Sequence, residues 1–430
     1  MKTSVGFHTF TVFKRLHEKK IAKKLFSHFK KYKDSSEEVE MMNPKGKPGE
    51  WLIYYTDTAR RGITWILRYN VHSRDYKEYI VEARINPKIL AGIKDYITAS
   101  TSDYLPIVEE RFNEEATEIS EILGKFSSYT PKRVDFCINF DLKELGIRCT
   151  PEQMMKLIKM GDYPSYFKEW LYYDKISHRK KAGKFSFYLI SRANNINCYY
   201  KYKQLEEEYP NCPHIDRALH VIRFEVQCKY SKIYVMRKAI QKKVPEYLIT
   251  PQFILNELLS DFTSQNMIEK YFMQIIKPGD YYTLKKAIEI IEDQHFSTQK
   301  EQVLIDTLKE INRQGIARTR ASIAPEAIPQ FYRTLDTLAK LKINPVTIPK
   351  SFGVKHIPNL LDTCNKLRDS GSATCSLADP FEPLEEPFED FENLAGSYDY
   401  DDIYEGSDTD HDTEPEYEET FLFEWELPRK

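Results

Sequence analysis

Nine consecutive residues constrain this chain more than any others: Arg133-Val134-Asp135-Phe136-Cys137-Ile138-Asn139-Phe140-Asp141 alternate strictly between two kinds of side chain. Along a strand, successive side chains point to opposite faces with a period of two. The run is therefore satisfied as a strand that buries Val134, Phe136, Ile138 and Phe140. Its other face carries Arg133, Asp135, Cys137, Asn139 and Asp141. Further strands are expected at Trp51–Thr56, Thr64–Asn70 and Tyr79–Ile85, the last stopped by Asn86-Pro87 because the residue before proline avoids the helical region. Lys184–Arg192 and Ile196–Tyr202 read as a hairpin around Ala193-Asn194-Asn195, and Leu219–Lys229 as another strand.

Helices interrupt these strands. Residues 10–33 carry apolar positions at helical spacing among many lysines and read as a basic helix. Its outer face suits phosphate contact or, less well, a membrane surface. Helices are also expected at Pro87–Ile97, at Leu105–Leu123, from Thr150-Pro151-Glu152 and at Tyr230–Lys243. Threonine as a cap followed by proline at the first position is a helix-start signature. From Pro245 onward the pattern is helical. The expected class is α+β with a largely antiparallel sheet, built as two RRM-like halves and followed by helices. The expected divisions are 1–244 for the sheet domain, 245–370 for the helical domain and 371–430 for the tail.

The net charge of −2 averages two opposed parts. From 379 to 430 there are 20 acidic residues and only Arg429 and Lys430 as bases, which leaves 61 basic against 45 acidic residues in 1–370. A basic body with an acidic tail points to a nucleic-acid partner. The tail composition argues for disorder. Its aromatic-acidic end, Phe421 to Trp425, fits docking on a partner or on the basic body. If the tail competes with DNA for the basic body, removing it after Asp369 is expected to raise non-specific DNA affinity and steepen its salt dependence, whereas a solubilising tail leaves binding unchanged.

Several classes drop out. No apolar run reaches the roughly 18 residues a membrane helix needs. Met1 to Phe10 does not read as a signal peptide, so a cytoplasmic setting with reduced thiols is expected for the seven cysteines. There is no GxxxxGK[ST] loop, no Gly-x-Ser-x-Gly elbow and no Cys-x-x-Cys pair.

Three segments concentrate chemistry. The 133–141 strand offers two carboxylates and an amide, the oxygen donors that Mg²⁺ or Mn²⁺ prefers. Asn197-Cys198-Tyr199-Tyr200-Lys201-Tyr202-Lys203 interleaves aromatics with lysines, which suits base stacking beside phosphate contact. Read as a strand, it puts Tyr199 and Lys201 on one face and Tyr200 and Tyr202 on the other. Arg223-Phe224-Glu225-Val226-Gln227 lines Arg223, Glu225 and Gln227 along one face. Convergence of a tyrosine, a lysine and carboxylates would make a phosphodiester-cleaving site with a covalent phosphotyrosine intermediate.

In order and spacing, Arg133-Val134-Asp135, Tyr188-Leu189-Ile190-Ser191-Arg192, Tyr199 to Leu205 and Arg223 to Gln227 resemble motifs of rolling-circle replication initiators of plasmids and phages. The likeness runs over roughly residues 50–230 and is to the Rep_trans initiators with their relaxase relatives, and to the filamentous-phage gene II/X family. Ile190 and Tyr200 depart from the usual glycine and aspartate, and the absent His-hydrophobe-His pair favours the Rep_trans type. The resemblance implies a nicking-joining endonuclease that initiates rolling-circle replication of a plasmid, phage or mobile element. Its partners would be single-stranded or cruciform origin DNA, with a host helicase as a further one. It implies Tyr199 as nucleophile, with Tyr200 and Tyr202 as alternates, and Asp135, Asp141 and Glu225 as metal ligands. Lys201 and Arg192 would lie near the phosphate, and Arg133, Lys203 and Arg223 along the DNA. The helices of 245–370 would recognise DNA or dock a partner. A non-catalytic DNA-binding regulator on the same fold is the alternative.

Overall fold

Among the described residues ten strands form one sheet, and every neighbouring pair is antiparallel. The computed structural model describes residues 5–35, 40–42, 51–56, 61–71, 77–174, 179–181 and 183–360. The acidic tail and its aromatic end lie outside the described residues. The sheet strands are β1 (Val5–Leu16), β2 (Glu40–Met42), β3 (Trp51–Thr56), β4 (Ile63–Val71), β5 (Lys77–Ile85), β6 (Thr130–Asp141), β7 (Lys168–Glu169), β10 (Ser186–Ile190), β11 (Asn194–Tyr200) and β12 (Val221–Cys228). Two small ribbons stand apart, one of β8 (Tyr172–Asp174) with β9 (Arg179–Lys181) and one of β13 (Tyr281–Tyr282) with β14 (His356–Ile357).

The spatial order is β2-β3-β4-β5-β1-β6-β12-β11-β10-β7. Read outward from the central β1–β6 pair, both halves run first, last, fourth, third, second in chain order. Each first strand is followed by a helix, α1 (Lys19–Ser35) after β1 and α4 (Pro151–Lys159) after β6, and both pack on the same face of the sheet. The expected pair of halves takes this form.

One face of the sheet holds the main core. Phe10 and Val12 of β1, Trp65 of β4, Val81 of β5, Phe136 and Ile138 of β6, and Phe224 and Val226 of β12 are buried there. Helix α2 (Pro87–Leu90) leads toward α3 (Leu105–Ile119), whose Leu105, Val108, Phe112, Ala116 and Ile119 recur at helical spacing and face this core. The Trp65 ring meets Phe112 at 5.0 Å and Tyr129 at 6.2 Å between centroids. Each such buried aromatic contributes about 2–3 kcal/mol through apolar area alone. α4 begins as its sequence dictates: Thr150 caps it, Gln153 returns the bond and Pro151 takes the first position.

After α5 (Lys201–Glu208) and α6 (Tyr230–Lys243) come α7 (Pro251–Leu258) and α8 (Asp261–Ile276), which pack on the same face against the central strands. Phe272 of α8 meets Phe140 and Phe224, each at 5.1 Å. The helices α9 (Leu284–Glu292), α10 (Thr298–Gln314), α11 (Ile316–Ala321) and α12 (Ile328–Lys340) extend this hydrophobic cluster. The Arg320 guanidinium ties them back by donating to Asp162 and, at 2.7 Å, to the Tyr163 carbonyl.

Three local expectations are corrected. The basic helix begins at Lys19 rather than at 10, because residues 5–16 are held as β1 between β5 and β6. Two hydrogen-bonded ladders outweigh a helical spacing of apolar residues. The strand expected over 196–202 ends at Tyr200, whose partner Ile222 is next to the first residue of β12. Beyond it Lys-Tyr-Lys-Gln-Leu-Glu-Glu-Glu, rich in good helix formers, turns into α5. The helix expected over Pro87–Ile97 stops at Leu90. Gly92 follows with φ +80°, and the chain turns to cross the opposite face of the sheet.

Candidate functional site

The second face of the sheet is polar, and half of it is roofed. The register lays its side chains out as a grid. Asp135 stands opposite Gln227, and Gln227 opposite Asn195. Cys137, Glu225, Asn197 and Tyr188 form the next row, and Asn139, Arg223, Tyr199 and Ser186 the third. β1 adds His8 and Thr9 where its pairing with β6 slips between Phe7 and Phe10. A bulge of this kind re-aims side chains toward a site.

At the centre, the Tyr199 hydroxyl donates to Glu225 Oε1 at 2.8 Å, and Arg223 Nη1 lies 3.6 Å from the same oxygen. Arg223 is fully buried and donates through Nε to Asn139 Oδ1 at 2.8 Å. Burial pulls the guanidinium toward neutrality, but Tyr199, Cys137 and Glu225 around it more than offset this, so it stays charged. Burial also raises the Glu225 carboxyl above its usual range, Arg223 opposes that, and Asp135 adds to it. Lys201, the first residue of α5, lies 5.7 Å from the Tyr199 ring centroid and donates to Gln204 at 2.6 Å. Burial, then Arg223, Lys201, Lys88 and Arg133, hold the half-buried His8 imidazole well below its ordinary pKa.

The roof is the segment after α2. Asp95 accepts from the Ile97 amide at 2.9 Å and the Thr98 amide at 3.2 Å, and it pairs with Lys88 at 3.2 Å. Burial opposes its ionisation, but the Thr98 hydroxyl, the two amides and Lys88 together pull the carboxyl well below the usual range. This turn aims the Ile97 carbonyl inward. There it accepts from Asn139 Nδ2 at 2.6 Å and from Arg223 Nη2. Ser100 bridges to Phe7 of β1, and a side chain at Gly6 would run into the Ser100 carbonyl, so only glycine allows this approach. Ile97, Leu205, Cys212 and Ala218 form a small second core that joins the roof to α5.

Beyond the roof, the same face turns cationic. Thr64, Arg84, Thr11 and Arg133 stand side by side across β4, β5, β1 and β6. Buried Glu82 is held by Lys132 at 2.6 Å and Arg68 at 3.1 Å. Burial would raise its pKa, and these two cations together lower it. Arg133 grips Asp135 with two bonds, at 2.7 and 3.1 Å, and the Thr9 hydroxyl donates to the same carboxylate.

The expected residues divide. Tyr199, Lys201, Arg223 and Glu225 come together, with Asp135 diagonal to Glu225 across the β6–β12 pair. Asp141 does not join them. Six residues along one strand separate it from Asp135 by about 20 Å, and its Oδ1 accepts from the Lys143 and Glu144 amides. Tyr200 points to the other face and donates to the Leu219 carbonyl at 2.9 Å, and burial pushes its pKa up to about 12. Lys203 pairs with Glu206 at 2.5 Å, away from the cluster. Arg192 is exposed in the turn between β10 and β11, at the end of β11 opposite Tyr199. Among the described residues no group of three or more His, Cys, Asp or Glu is placed to hold a metal ion. The donors also do not fit one as they stand, since Asp135 and Glu225 are engaged by Arg133, Thr9, Tyr199 and Arg223.

His8 and Lys88 are site residues that the sequence reasoning missed, and Tyr188, which heads the 188–192 motif, received no role there. Tyr188 accepts from Asn195 at 2.7 Å and donates to Gln227 at 2.9 Å. Its parity with Ser186 in β10 was a usable signal. His8 and Lys88 had none, because a bulge and a roof are not written in any local pattern.

No family model matches the chain, and no curated protein does. Among solved structures it is similar to one described as a rolling circle replication initiator protein from Geobacillus stearothermophilus. The TM-score is 0.29 at 11% identity, over 81% of this chain and 99% of that one. A likeness of that size carries no functional weight here.

Proposed function

We propose that the protein is a DNA nicking-joining enzyme of the rolling-circle initiator kind, with Tyr199 as nucleophile and Glu225 as its general base. The observation that carries this reading is the 2.8 Å hydrogen bond from the Tyr199 phenol to a carboxylate of raised pKa, flanked by two buried cations. A phenol ionises near pH 10 in water, so attack at neutral pH needs a base within hydrogen-bond reach. In the proposed step the phenol oxygen bonds to phosphorus as the bond to the 3′ oxygen breaks. The phenol proton passes to Glu225, and the departing oxygen takes one from water. The strand stays on Tyr199 through its 5′ phosphate, which conserves the bond for rejoining. Arg223 and Lys201 face the charge that grows on the phosphoryl oxygens. No step is assigned to a metal.

Tyr199 is only 4% exposed, so a phosphate reaches it only if part of its cover moves, and the 95–98 turn, whose Ile97 carbonyl sits on the neighbouring Arg223 and Asn139, is the segment proposed to lift. Arg223 and Asn139 would then exchange the Ile97 carbonyl for a phosphoryl oxygen, a like-for-like trade of acceptors. The same burial favours a second reading, a DNA-binding regulator in which the cluster only holds the sheet together.

The test is a covalent adduct on denaturing gels, using labelled hairpin-bearing single strands with Mg²⁺ or Mn²⁺. The adduct is expected with the native chain and lost in Tyr199→Phe, while Tyr188→Phe, Tyr200→Phe and Tyr202→Phe retain it. An adduct that survives Tyr199→Phe overturns the assignment. DNA binding with no adduct under any condition selects the regulator.

A further inference from the structure

We propose that the lysine face of α1 is a docking surface for the phosphate backbone of double-stranded DNA, separate from the Tyr199 cluster and on the other side of the sheet. Seven of the helix's 17 residues are lysines: Lys19, Lys20, Lys23, Lys24, Lys30, Lys31 and Lys33. All seven are exposed. The opposite side, Ala22, Leu25, Phe29 and Tyr32, is buried in the main core, with Phe29 6.4 Å from Trp65. At about 100° per residue the lysines fall into two rows, Lys19-Lys23-Lys30 and Lys20-Lys24-Lys31. Each row is about 17 Å long at 1.5 Å per residue.

The arrangement works against the helix's own stability. Like charges four apart, as in Lys19/Lys23 and Lys20/Lys24, each cost about 0.2–0.5 kcal/mol. Lysines in a first turn that holds no acidic residue oppose the helix dipole. A polyanion laid along the two rows removes both penalties. Duplex DNA presents one charge per about 1.7 Å of axis, so it supplies phosphates along the whole length of both rows.

Two other occupants fit less well. A helix that lies in a membrane interface inserts its apolar side, and here that side is spent on the core. A single strand is held by exposed aromatics between the cations. Between these lysines stand exposed Ser27 and partly buried Ile21, Phe26 and His28. The choice of DNA rests on the nucleic-acid reading above.

The test uses the full chain with Lys23, Lys24, Lys30 and Lys31 all changed to Gln, a comparably good helix former. Binding to a labelled random-sequence duplex is followed by anisotropy as salt is raised. The slope of log Kobs against log salt is expected to shrink by about 3–4, at about 0.9 for each phosphate no longer neutralised. Affinity at low salt is expected to fall on the order of a hundredfold. The matching Lys→Arg variant is expected to keep the native slope. An unchanged slope in the Gln variant overturns the proposal. So does loss of binding to phosphatidylserine vesicles with duplex binding intact. The covalent adduct on short single strands is read in parallel and is expected to be unaffected. If the native chain forms no adduct but the Gln variant still loses slope, the nickase reading fails and the docking surface stands.

Discussion

Arg223 and Phe224 are neighbours in β12, and both are wholly buried. They lie on opposite faces of one sheet, and burial means different things on each. Phe224 joins a cluster in which another apolar side chain of similar volume keeps most of the contact. Arg223 sits where the charge, the fork of donors and the position of each acceptor must all agree. The main core is therefore expected to tolerate variation that the roofed polar face does not. A face with so little tolerance is where function is expected.

The largest effect should come from breaking the polar face. Arg223→Met keeps bulk but leaves the buried Glu225 carboxylate without its counter-charge, Asn139 Oδ1 without its donor and the Ile97 carbonyl with Asn139 alone, at an expected cost of about 3–5 kcal/mol. Phe224→Leu on the main core should cost under about 1.5 kcal/mol. Urea unfolding of both variants decides the point, and equal costs would erase the contrast between the faces. Replacing Arg223 and Glu225 together by Met should recover most of the loss, since the uncompensated charge goes with it.

Next in size is a pH effect. Folded His8 resists protonation, whereas the unfolded imidazole takes a proton near pH 6.5. The unfolded chain therefore binds more protons below that value. Stability should be full above pH 6.5 and fall as pH drops toward the folded pKa, by at most about 1.4 kcal/mol per pH unit. His8→Gln should remove this fall between roughly pH 6.5 and 5, while the raised Glu225 carboxyl, which acts with the opposite sign, is common to both chains. Equal slopes for the native and His8→Gln chains there would place the imidazole in a more open setting.

Tyr199→Phe should cost only about 1 kcal/mol, the worth of one hydrogen bond, and yet remove all covalent chemistry. A loss of several kcal/mol would make that residue structural instead. The smallest effect belongs to the exposed side of α1. The four-lysine Gln variant should move stability by no more than about 0.5 kcal/mol, or slightly raise it as like charges are removed.

Local pattern carried much of the fold. The alternation over 133–141 marked the central strand and its two faces, and the Thr150-Pro151 start marked α4. Parity alone set Arg223, Glu225 and Gln227 on one face. What failed was what depends on neighbours. Parity carried past Tyr200 put Lys201 on the strand, where it is in fact the first residue of a helix. Spacing along 133–141 paired Asp135 with Asp141 as ligands, although a strand holds such residues far apart.

The sequence by itself determined which residues alternate, which helices start where, and that a basic body precedes an acidic tail. These follow from interactions between residues close in the chain. Only the tertiary structure decided that β1 lies beside β6, that Ile97 caps Arg223 and Asn139, and that His8 and Lys88 join Tyr199 and Glu225. Those contacts join residues scores of positions apart. A period of two fixes the face on which a side chain stands, and says nothing of what the fold brings across to meet it.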